Sequence, residues 1–253
     1  MGWQGSPDFS SVRWGQAVVS VVLPVHNEQP NLGPLFEEIA SALGGVSYEV
    51  IAVDDGSTDG SDAELGRLKD RFSALRVITL ERRSGQSAAI AVGFDAARGD
   101  VVVTLDADGQ NDPADIMPLL RVLQEQPSLA AAVGYRSRRA DSWWKRTQSR
   151  VANAVRNWIT RDGMRDTGCA LKVVRRSALV RIPRFDGLHR FIPALLQAQG
   201  GRVAQMPVAH RPRRAGRSKY GMWDRALRGL VDALAVLWYR RRALRYVIKE
   251  DTG

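Results

Sequence analysis

Short runs rich in β-branched residues alternate with helix-length amphipathic stretches through residues 18–133, and this alternation restricts the possible folds most strongly. Successive βαβ units have this pattern, because helices connect and cover the strands of a parallel sheet. The chain is therefore predicted to be an α/β protein with a mostly parallel sheet flanked by helices. The predicted strands are Val18–Val25, Tyr48–Val53, Leu75–Leu80, Val101–Leu105 and Leu129–Val133.

Helices are predicted between these strands, and the alternation becomes looser after Val133. The first helices are Asn31–Leu43, Ser61–Phe72, Gln86–Arg98 and Pro113–Gln126, with Asn31, Ser57 or Asp59, and Ser84 available as starts or caps. The later elements are a helix at Trp143–Thr160, a strand at Ala170–Val174, a helix at Leu188–Gln199 and a strand at Val203–Pro207. Because no internal repeat or linker interrupts the sequence, no second independent domain is expected.

The composition fits a globular protein of a reducing compartment. A chain of 253 residues with 44% hydrophobic content can bury a substantial core. Its single cysteine, Cys169, excludes an intramolecular disulfide and is expected to be a small buried filler. The longest stretch without Asp, Glu, Lys or Arg is Trp14–Asn27, shorter than the roughly 20 apolar residues that cross a bilayer. We therefore expect a cytoplasmic protein with no membrane-spanning helix.

The positive charge is concentrated near the end of the chain. Residues 202–249 contain 13 Lys and Arg against Asp224 and Asp232, a balance of +11, whereas residues 1–201 contain 24 basic and 23 acidic residues, a balance of +1. A basic segment of this kind can face nucleic acid, anionic lipid or an anionic substrate.

Two acidic residues follow the fourth predicted strand. In an extended chain, residues two apart point to the same side, so Asp106 and Asp108 are expected to present both carboxylates to one hard cation. Mg²⁺ or Mn²⁺ held in this way would neutralise a departing nucleoside diphosphate. The alternative is a solvated turn without a ligand.

Polar residues also follow the first two strands, where ligands of open α/β sheets commonly bind. The second strand leads into Asp54, Asp55 and Gly56; a carboxylate there can accept hydrogen bonds from a base or ribose, and the glycine permits close approach of the backbone. The alternative is a turn that caps the following helix.

Four motifs together resemble the inverting GT-A glycosyltransferases in order and spacing. They are Leu23-Pro24-Val25-His26-Asn27-Glu28, Val53-Asp54-Asp55-Gly56-Ser57-Thr58-Asp59, Ser84-Gly85-Gln86-Ser87-Ala88-Ala89 and Asp106-Ala107-Asp108-Gly109-Gln110. The resemblance covers residues 18–221 and implies a GT-A fold with a Rossmann-like sheet. The closer likeness is to dolichol-phosphate mannosyltransferase and bacterial polyprenyl-phosphate glycosyltransferases. Its further marks are Gly134-Tyr135-Arg136, Asp166-Thr167-Gly168-Cys169 and Arg213-Arg214-Ala215-Gly216-Arg217-Ser218-Lys219-Tyr220.

The resemblance also implies roles for individual residues. The nucleotide-binding residues would be Pro24, Asn27, Glu28, Asp54, Asp55 and Asp106. The metal would be held by Asp106 and Asp108, with Gln110 as a further ligand or a group behind the ligands. The phosphates would be surrounded by Arg136, Arg150, Arg213, Ser218 and Lys219, of which Arg136 and Arg213 would join the two aspartates in catalysis. The sequence departs from the family pattern at Gly109, at Asn111 and at Gln86, where a lysine is usual.

The end of the chain is predicted to form an amphipathic basic helix. Apolar residues recur at helical spacing from Met222 to Trp238, and Arg240, Arg241 and Arg242 follow directly. Such a helix either packs on the core or lies on an anionic membrane surface, and the flanking charges favour the membrane. The predicted organisation is an N-terminal extension at 1–17, a catalytic domain at 18–221 and this basic segment at 222–253.

The resemblance implies transfer of a sugar from a nucleotide-sugar donor to a polyprenyl-phosphate acceptor at the inner face of the cytoplasmic membrane, with peripheral binding or an integral membrane partner protein. A glycosyltransferase with a soluble or polysaccharide acceptor is the main alternative. A nucleic-acid-binding protein would explain the basic charge but not the paired aspartates, and no helix-turn-helix, zinc-finger or RNA-binding motif is present. No nucleic-acid partner is therefore expected.

Overall fold

The structure is a computed structural model that describes residues 12, 14, 17–136, 157, 160, 162–212 and 222–244. Within the range 222–244, only the side chains of 229 and 231–244 are described. The described residues form a seven-stranded sheet in the order β3-β2-β1-β4-β6-β5-β7. Its strands are β1 (Val18–Val25), β2 (Ser47–Asp54), β3 (Leu75–Thr79), β4 (Val101–Thr104), β5 (Leu129–Arg136), β6 (Lys172–Arg175) and β7 (Arg202–Val208).

Helices cover both faces of this sheet. They are α1 (Gln29–Leu43), α2 (Ser61–Arg71), α3 (Gln86–Ala96), α4 (Ile116–Glu125), α5 (Arg176–Leu179), α6 (Leu188–Ala198) and α7 (Met222–Arg242), with a 3₁₀ turn at Pro113–Asp115 before α4. Alternate residues of β1 enter two separate cores: Val21 packs with the apolar residues of α1, α2 and α4, and Val22 packs with those of α3 and α6. This alternation is the period of two that a strand imposes, and it fixes which helices cover which face.

Most strands are parallel, as predicted. β1 lies between β2 and β4, parallel to both, and β3 extends this part of the sheet beside β2. β6 is antiparallel to both of its neighbours, β4 and β5. An apolar run in the sequence reveals burial but not direction, so this reversal was not predicted.

The element boundaries mostly agree with the prediction, and a few starts were wrong. α1 begins at Gln29 rather than Asn31, and Ser84 does not cap α3, which follows Gly85 without a side-chain cap. The predicted helix at 143–160 lies almost entirely outside the described residues. Within the described part of the chain, no helix is both long and apolar enough to cross a membrane.

Candidate active site

The carboxyl ends of β1, β2 and β4 meet at one edge of the sheet, because these neighbouring strands are parallel. The loops that follow Val25, Asp54 and Thr104 therefore share this edge. Open α/β sheets bind ligands at such an edge, and most of the predicted site residues in the described part of the chain lie there.

The loop after β1 is held by the loop after β2. Asn27 has a left-handed backbone, with φ of 57°, and its side-chain Oδ1 accepts the backbone N–H of Thr58 at 2.7 Å. The backbone N–H of Glu28 donates to Ser61 Oγ at 3.0 Å, and the Glu28 carboxylate accepts from Asn31 Nδ2 at 2.6 Å. Pro24, another predicted nucleotide-binding residue, lies on β1 beside Val53 of β2.

The two aspartates at the end of β2 organise the loops around them. Asp54 Oδ1 accepts from the backbone N–H and the hydroxyl of Ser57 at 3.0 and 2.5 Å. The Asp55 carboxylate accepts the backbone N–H groups of Ser84 and Gly85, at 2.5 and 2.9 Å, just before α3 begins. Both aspartates are buried.

The alternative predicted for the segment after β2 was a turn that caps the next helix. Asp54 does close a local turn with Ser57, but the N-cap of α2 is Gly60, which makes no side-chain hydrogen bond. A turn of this kind can also be part of a binding surface.

Asp106 and Asp108 follow β4, where the metal site was predicted. β4 ends at Thr104 and residues 107–109 turn, so the extended spacing assumed from the sequence does not continue to Asp108. Asp106 Oδ1 accepts from Gln86 Nε2 at 2.7 Å, and Asp108 Oδ1 accepts the backbone N–H of Gln110 at 3.1 Å.

The chemistry of this pair fits a hard divalent cation. An ionised carboxylate has about four lone-pair sites, so a hydrogen bond to one of its oxygens does not by itself prevent metal binding. Among the described residues no group of three or more His, Cys, Asp or Glu could hold a metal. An ion at Asp106 and Asp108 would therefore need oxygens from the substrate, and Mg²⁺ commonly binds through one or two carboxylates together with substrate phosphates.

Arg136, at the end of β5, is engaged by Asp166. Its Nε and Nη2 donate to the two carboxylate oxygens at 2.6 and 2.9 Å, and Gly168 N donates to the same carboxylate at 3.0 Å. A Cβ at Gly168 would lie 2.8 Å from Arg136 Nη2, so glycine permits this close approach. Asp166 and Arg136 thus form an ion pair in which the carboxylate holds the guanidinium by two of its nitrogens.

A pocket opens beside Asp106, between α3, β6 and α6. It is defined here as the basic pocket, and the residues that line it include Gln86, Asp106, Thr167, Lys172, His189 and Arg190. Lys172 is 4% exposed, and its ammonium donates to the carbonyl oxygen of Cys169. The predicted burial of Cys169 is confirmed.

Burial controls the ionisation of the groups around the basic pocket. Desolvation, and to a smaller extent the charges of Lys172 and Arg190, lower the pKa of His189 to about 3, so the ring is neutral at pH 7. Desolvation also lowers the pKa of Lys172, which the nearby carboxylates of Asp106 and Asp166 partly oppose. Burial raises the pKa of the Cys169 thiol, as expected for an unreactive filler.

Sequence reasoning did not assign a functional role to Lys172, His189 or Arg190. A signal was present for Lys172, because it is a lone charge within the apolar run 170–174. Several predicted phosphate ligands lie outside the described residues. They are Arg150, Arg213, Ser218 and Lys219.

The C-terminal helix α7 continues to Arg242, beyond the predicted end at Trp238. Among the described side chains of this helix, Ala233 and Val236 are buried, at 1% and 2% exposure, and part of the predicted apolar stripe faces outward instead. The outward residues are Val231, Leu234 and Trp238, at 59%, 51% and 65% exposure. Because most side chains in the first half of α7 lie outside the described residues, the amphipathic character of the whole helix stays a prediction.

Two curated relatives are more than a third identical to this chain over the aligned residues. It is 38% identical over 231 residues to the dodecaprenyl-phosphate galacturonate synthase of Rhizobium johnstonii, covering 88% of this chain and 67% of that protein. It is 37% identical over 219 residues to the undecaprenyl-phosphate 4-deoxy-4-formamido-L-arabinose transferase of Edwardsiella ictaluri, covering 85% and 65%. The chain therefore spans about two thirds of the length of these relatives.

Solved structures share the fold at low sequence identity. Mannosyl-3-phosphoglycerate synthase from Rubrobacter xylanophilus matches with a TM-score of 0.69 and 18% identity, over 94% of this chain and 79% of that one. Glucosyl-3-phosphoglycerate synthase from Mycobacterium tuberculosis, crystallised with Mn²⁺, UDP and glucosyl-3-phosphoglycerate, matches with a TM-score of 0.64 and 22% identity, over 89% and 80%. The predicted GT-A fold is confirmed by these matches, which concern the fold alone.

The family is shown by a direct match. The family model described as Glycosyl transferase family 2 matches residues 20–182, a range that contains Asp54, Asp106, Asp108 and Arg136. The predicted resemblance to polyprenyl-phosphate glycosyltransferases is also confirmed by the two curated relatives. The chain therefore belongs to glycosyl transferase family 2 and is a glycosyltransferase.

Proposed function

We propose that this chain transfers a sugar from a nucleotide sugar to a polyprenyl phosphate, with inversion at the anomeric carbon. The observation that carries the proposal is the position of Asp106 and Asp108 at the carboxyl edge of the sheet, beside the basic pocket and near the paired Arg136 and Asp166. The names of the two curated relatives, which both act on a polyprenyl phosphate, support the choice of acceptor.

The reaction needs charge placement more than proton removal. In the proposed step an oxygen of the lipid phosphate forms a bond to the anomeric carbon, and the bond from that carbon to the diphosphate oxygen breaks. The lipid phosphate is already an anion, so no strong base is required, and orientation and electrostatics supply most of the acceleration. A Mg²⁺ or Mn²⁺ ion at Asp106 and Asp108 would neutralise the negative charge on the departing diphosphate.

The remaining predicted residues have definite roles in this proposal. Asn27, Glu28, Asp54 and Asp55 form and brace the nucleotide side of the edge together with Pro24, and their hydrogen bonds hold the loops in one arrangement before the donor arrives. Arg136, oriented by Asp166, would bind the phosphates. The further proposed phosphate contacts are Arg213, Arg150, Ser218 and Lys219. Gln110 would lie behind the metal. A planar arginine fork matches phosphate oxygens better than a lysine does.

We further propose that α7 contacts an anionic membrane surface. Its outward side carries Val231, Leu234 and Trp238, and its last turn carries Arg240, Arg241 and Arg242. Apolar side chains next to basic ones are the combination that binds the interface of an anionic bilayer. This arrangement would place the protein on the inner face of the cytoplasmic membrane, where an integral partner protein could also hold it.

The proposed function is tested by product formation. Purified protein is incubated with uridine and guanosine diphosphate sugars, undecaprenyl phosphate in detergent, and Mg²⁺ or Mn²⁺, and the lipid phase is examined for a sugar-phosphate lipid by mass spectrometry. We expect a lipid-linked product that disappears when EDTA removes the metal. A parallel reaction replaces the lipid with a soluble polysaccharide. Sugar transfer to the polysaccharide but not to the lipid would overturn the proposed acceptor, and turnover that persists in EDTA would overturn the metal.

A further inference from the structure

The loop that carries Asp108 is held by a distant segment of the chain. We call residues 105–112 the metal loop and residues 209–211, which follow β7, the anchor segment. Within the metal loop, Gly109 has a left-handed backbone with φ of 70°, a conformation that glycine adopts without steric cost. Because glycine also gives the backbone access to other conformations, contacts from outside the loop help to fix the position of Asp108.

The backbone of the anchor segment pairs with the metal loop. The N–H of Arg211 donates to the carbonyl oxygen of Gln110 at 2.8 Å. Asn111 and His210 form an antiparallel bridge beside this hydrogen bond. Gln110 comes two residues after Asp108 in the sequence, so the anchor segment restrains the chain directly beyond the proposed metal ligand.

The side chain of Arg211 ties the metal loop to α1. Its Nη1 donates to Glu38 of α1 at 2.8 Å, and its Nη2 donates to Asp112 at the end of the metal loop. The other carboxylate oxygen of Asp112 accepts the N–H of Ala114 at 3.0 Å and so caps the 3₁₀ turn before α4. One guanidinium therefore connects the end of the metal loop to a helix that packs on the core.

The cluster around Arg211 differs from a neighbouring ion pair of α1. The side chains of Arg211, Glu38 and Asp112 are 34%, 29% and 23% exposed. Arg71 and Glu37 form an ion pair at 57% and 62% exposure, and exposed pairs of this kind contribute little and are weakened by salt. The planar fork of Arg211 bonds two partly buried carboxylates at once, which a lysine ammonium does not reproduce. The cluster therefore restrains its neighbours more strongly than the exposed pair does.

We propose that Arg211 is a positioning residue for the metal site, which acts on Asp108 through Asp112 and the backbone of the metal loop. Arg211 does not itself bind the ion. A ligand that is held in place before the ion arrives loses less conformational freedom on binding, so groups behind the ligands raise metal affinity. This inference rests on the proposed function, because it assumes that Mg²⁺ or Mn²⁺ binds at Asp106 and Asp108 together with the diphosphate of the donor.

The test measures Mn²⁺ binding directly, without sugar transfer. Mn²⁺ is titrated into protein with UDP or GDP present, and the electron paramagnetic resonance signal of the free ion gives the bound fraction, with protein-free samples as the correction for ion held by the nucleotide. Groups hydrogen-bonded to metal ligands change metal affinity by about 10- to 100-fold, and Arg211 acts one contact further away. We therefore expect Arg211→Gln to weaken Mn²⁺ binding about threefold to tenfold, with a melting temperature near that of wild type. Arg71→Gln, which breaks the exposed pair with Glu37, is the matched control and should bind Mn²⁺ as wild type does.

Two milder variants keep the test decisive if Arg211→Gln fails to fold. Asp112→Asn keeps an Oδ1 that can accept the N–H of Ala114 and weakens the contact with Arg211, so it should also lower Mn²⁺ affinity. Glu38→Gln weakens the contact with α1, and Glu37→Gln is its control. If Arg211 acts through Asp112, the double variant should lose no more affinity than Arg211→Gln alone. Fully additive losses would overturn this route.

The remaining outcomes separate this inference from the proposed function. Wild-type Mn²⁺ affinity in folded Arg211→Gln would overturn the inference alone, and an equal loss in Arg71→Gln would do the same by showing a general effect of surface charge. Normal Mn²⁺ affinity with a raised KM for undecaprenyl phosphate would mean that Arg211 positions the segment after it rather than the metal loop. Absence of Mn²⁺ binding by wild type with either nucleotide would remove the metal from the proposed function, and the inference with it.

Discussion

The nucleotide side of the site and the basic pocket lie at the same edge of the sheet, yet their polar groups are used in opposite ways. On the nucleotide side, the carboxylates of Asp54 and Asp55 accept hydrogen bonds from the loops around them. In the basic pocket, donors of Lys172 and Arg190 lack acceptors among the described residues. The two aspartates of the first region thus have partners without a ligand, whereas these donors of the second region do not.

This difference indicates what each region contributes. Groups that bind one another stabilise the fold and hold loops in position before the substrate arrives. Groups left without partners stabilise little, but they gain hydrogen bonds when a ligand enters. Substitutions on the nucleotide side should therefore lower stability, whereas substitutions in the basic pocket should mainly alter ligand binding.

The largest effect is expected at Asp108, close to the junction of the two regions. Asp108→Asn should lower turnover by at least about a hundredfold, because metal-based charge stabilisation is worth several kcal/mol. The asparagine keeps an Oδ1 that can accept the N–H of Gln110, so the melting temperature should stay near that of wild type. The check is sugar transfer at saturating Mg²⁺ or Mn²⁺. Near-normal turnover of the folded variant would contradict the metal assignment.

Substitutions of Asp55 and Lys172 allow a direct comparison of how much each region contributes to stability. Asp55→Ala removes a buried acceptor of two backbone N–H groups and should lower the free energy of unfolding by about 2 to 3 kcal/mol. Lys172→Met should change it by less than about 1 kcal/mol, because the lost hydrogen bond is offset by relief of a buried charge. Urea denaturation measures both values. Equal destabilisation by the two substitutions would remove the distinction between the regions.

Arg136 tests whether geometry matters beyond charge. Arg136→Lys keeps the positive charge but loses the two-point contact with Asp166, so kcat/KM should fall at least tenfold, or about 1.4 kcal/mol. Arg121→Lys, at an exposed arginine of α4, is the matched control and should behave as wild type. Wild-type kinetics of Arg136→Lys toward both donor and acceptor would exclude a role that depends on the arginine fork.

His189 predicts a pH dependence of stability. Its folded pKa of about 3 lies below its ordinary value of 6.5, so between these values the unfolded chain binds more protons than the folded one. The free energy of unfolding should therefore decrease as the pH falls from 6.5 toward 3. His189 alone should contribute a decrease of about 1 kcal/mol per pH unit. Urea denaturation at several pH values measures the slope, which should become shallower in His189→Gln. An unchanged slope would mean that the ring is open to protonation in the folded protein.

The smallest effect is expected at the end of α7. Arg241→Gln should weaken binding to anionic vesicles by about 1 kcal/mol, and added salt should reduce this difference. Arg241 is exposed, whereas Arg240 donates to the carbonyl oxygen of Thr160, so Arg241 gives the cleaner test. Lys69→Gln on α2 is the control in the same co-sedimentation assay. Equal binding of wild type and Arg241→Gln at low salt would indicate that α7 contacts a protein instead.

The sequence predicted the parallel part of the fold well, because apolar runs report burial and their spacing reports the crossover helices. β1 was predicted with its observed bounds, Val18–Val25, and Asp106 and Asp108 were placed correctly beyond β4. The antiparallel direction of β6 and the pairing of Arg136 with Asp166 depend on contacts between distant segments. Neither the strand direction nor the ion pair produces a local sequence pattern, because a charged residue in the sequence does not identify its partner.

The salt bridge between Arg190 and Asp232 joins the basic pocket to α7. Gly187, at the start of α6, lies against the same carboxylate: a Cβ there would be 2.6 Å from Asp232 Oδ2. The C-terminal helix is thus part of the wall behind the pocket as well as an outer surface. A chimera that exchanged this helix for that of a relative would also exchange the counter-ion of Arg190, so the pocket wall and the C-terminal helix would have to be transplanted together.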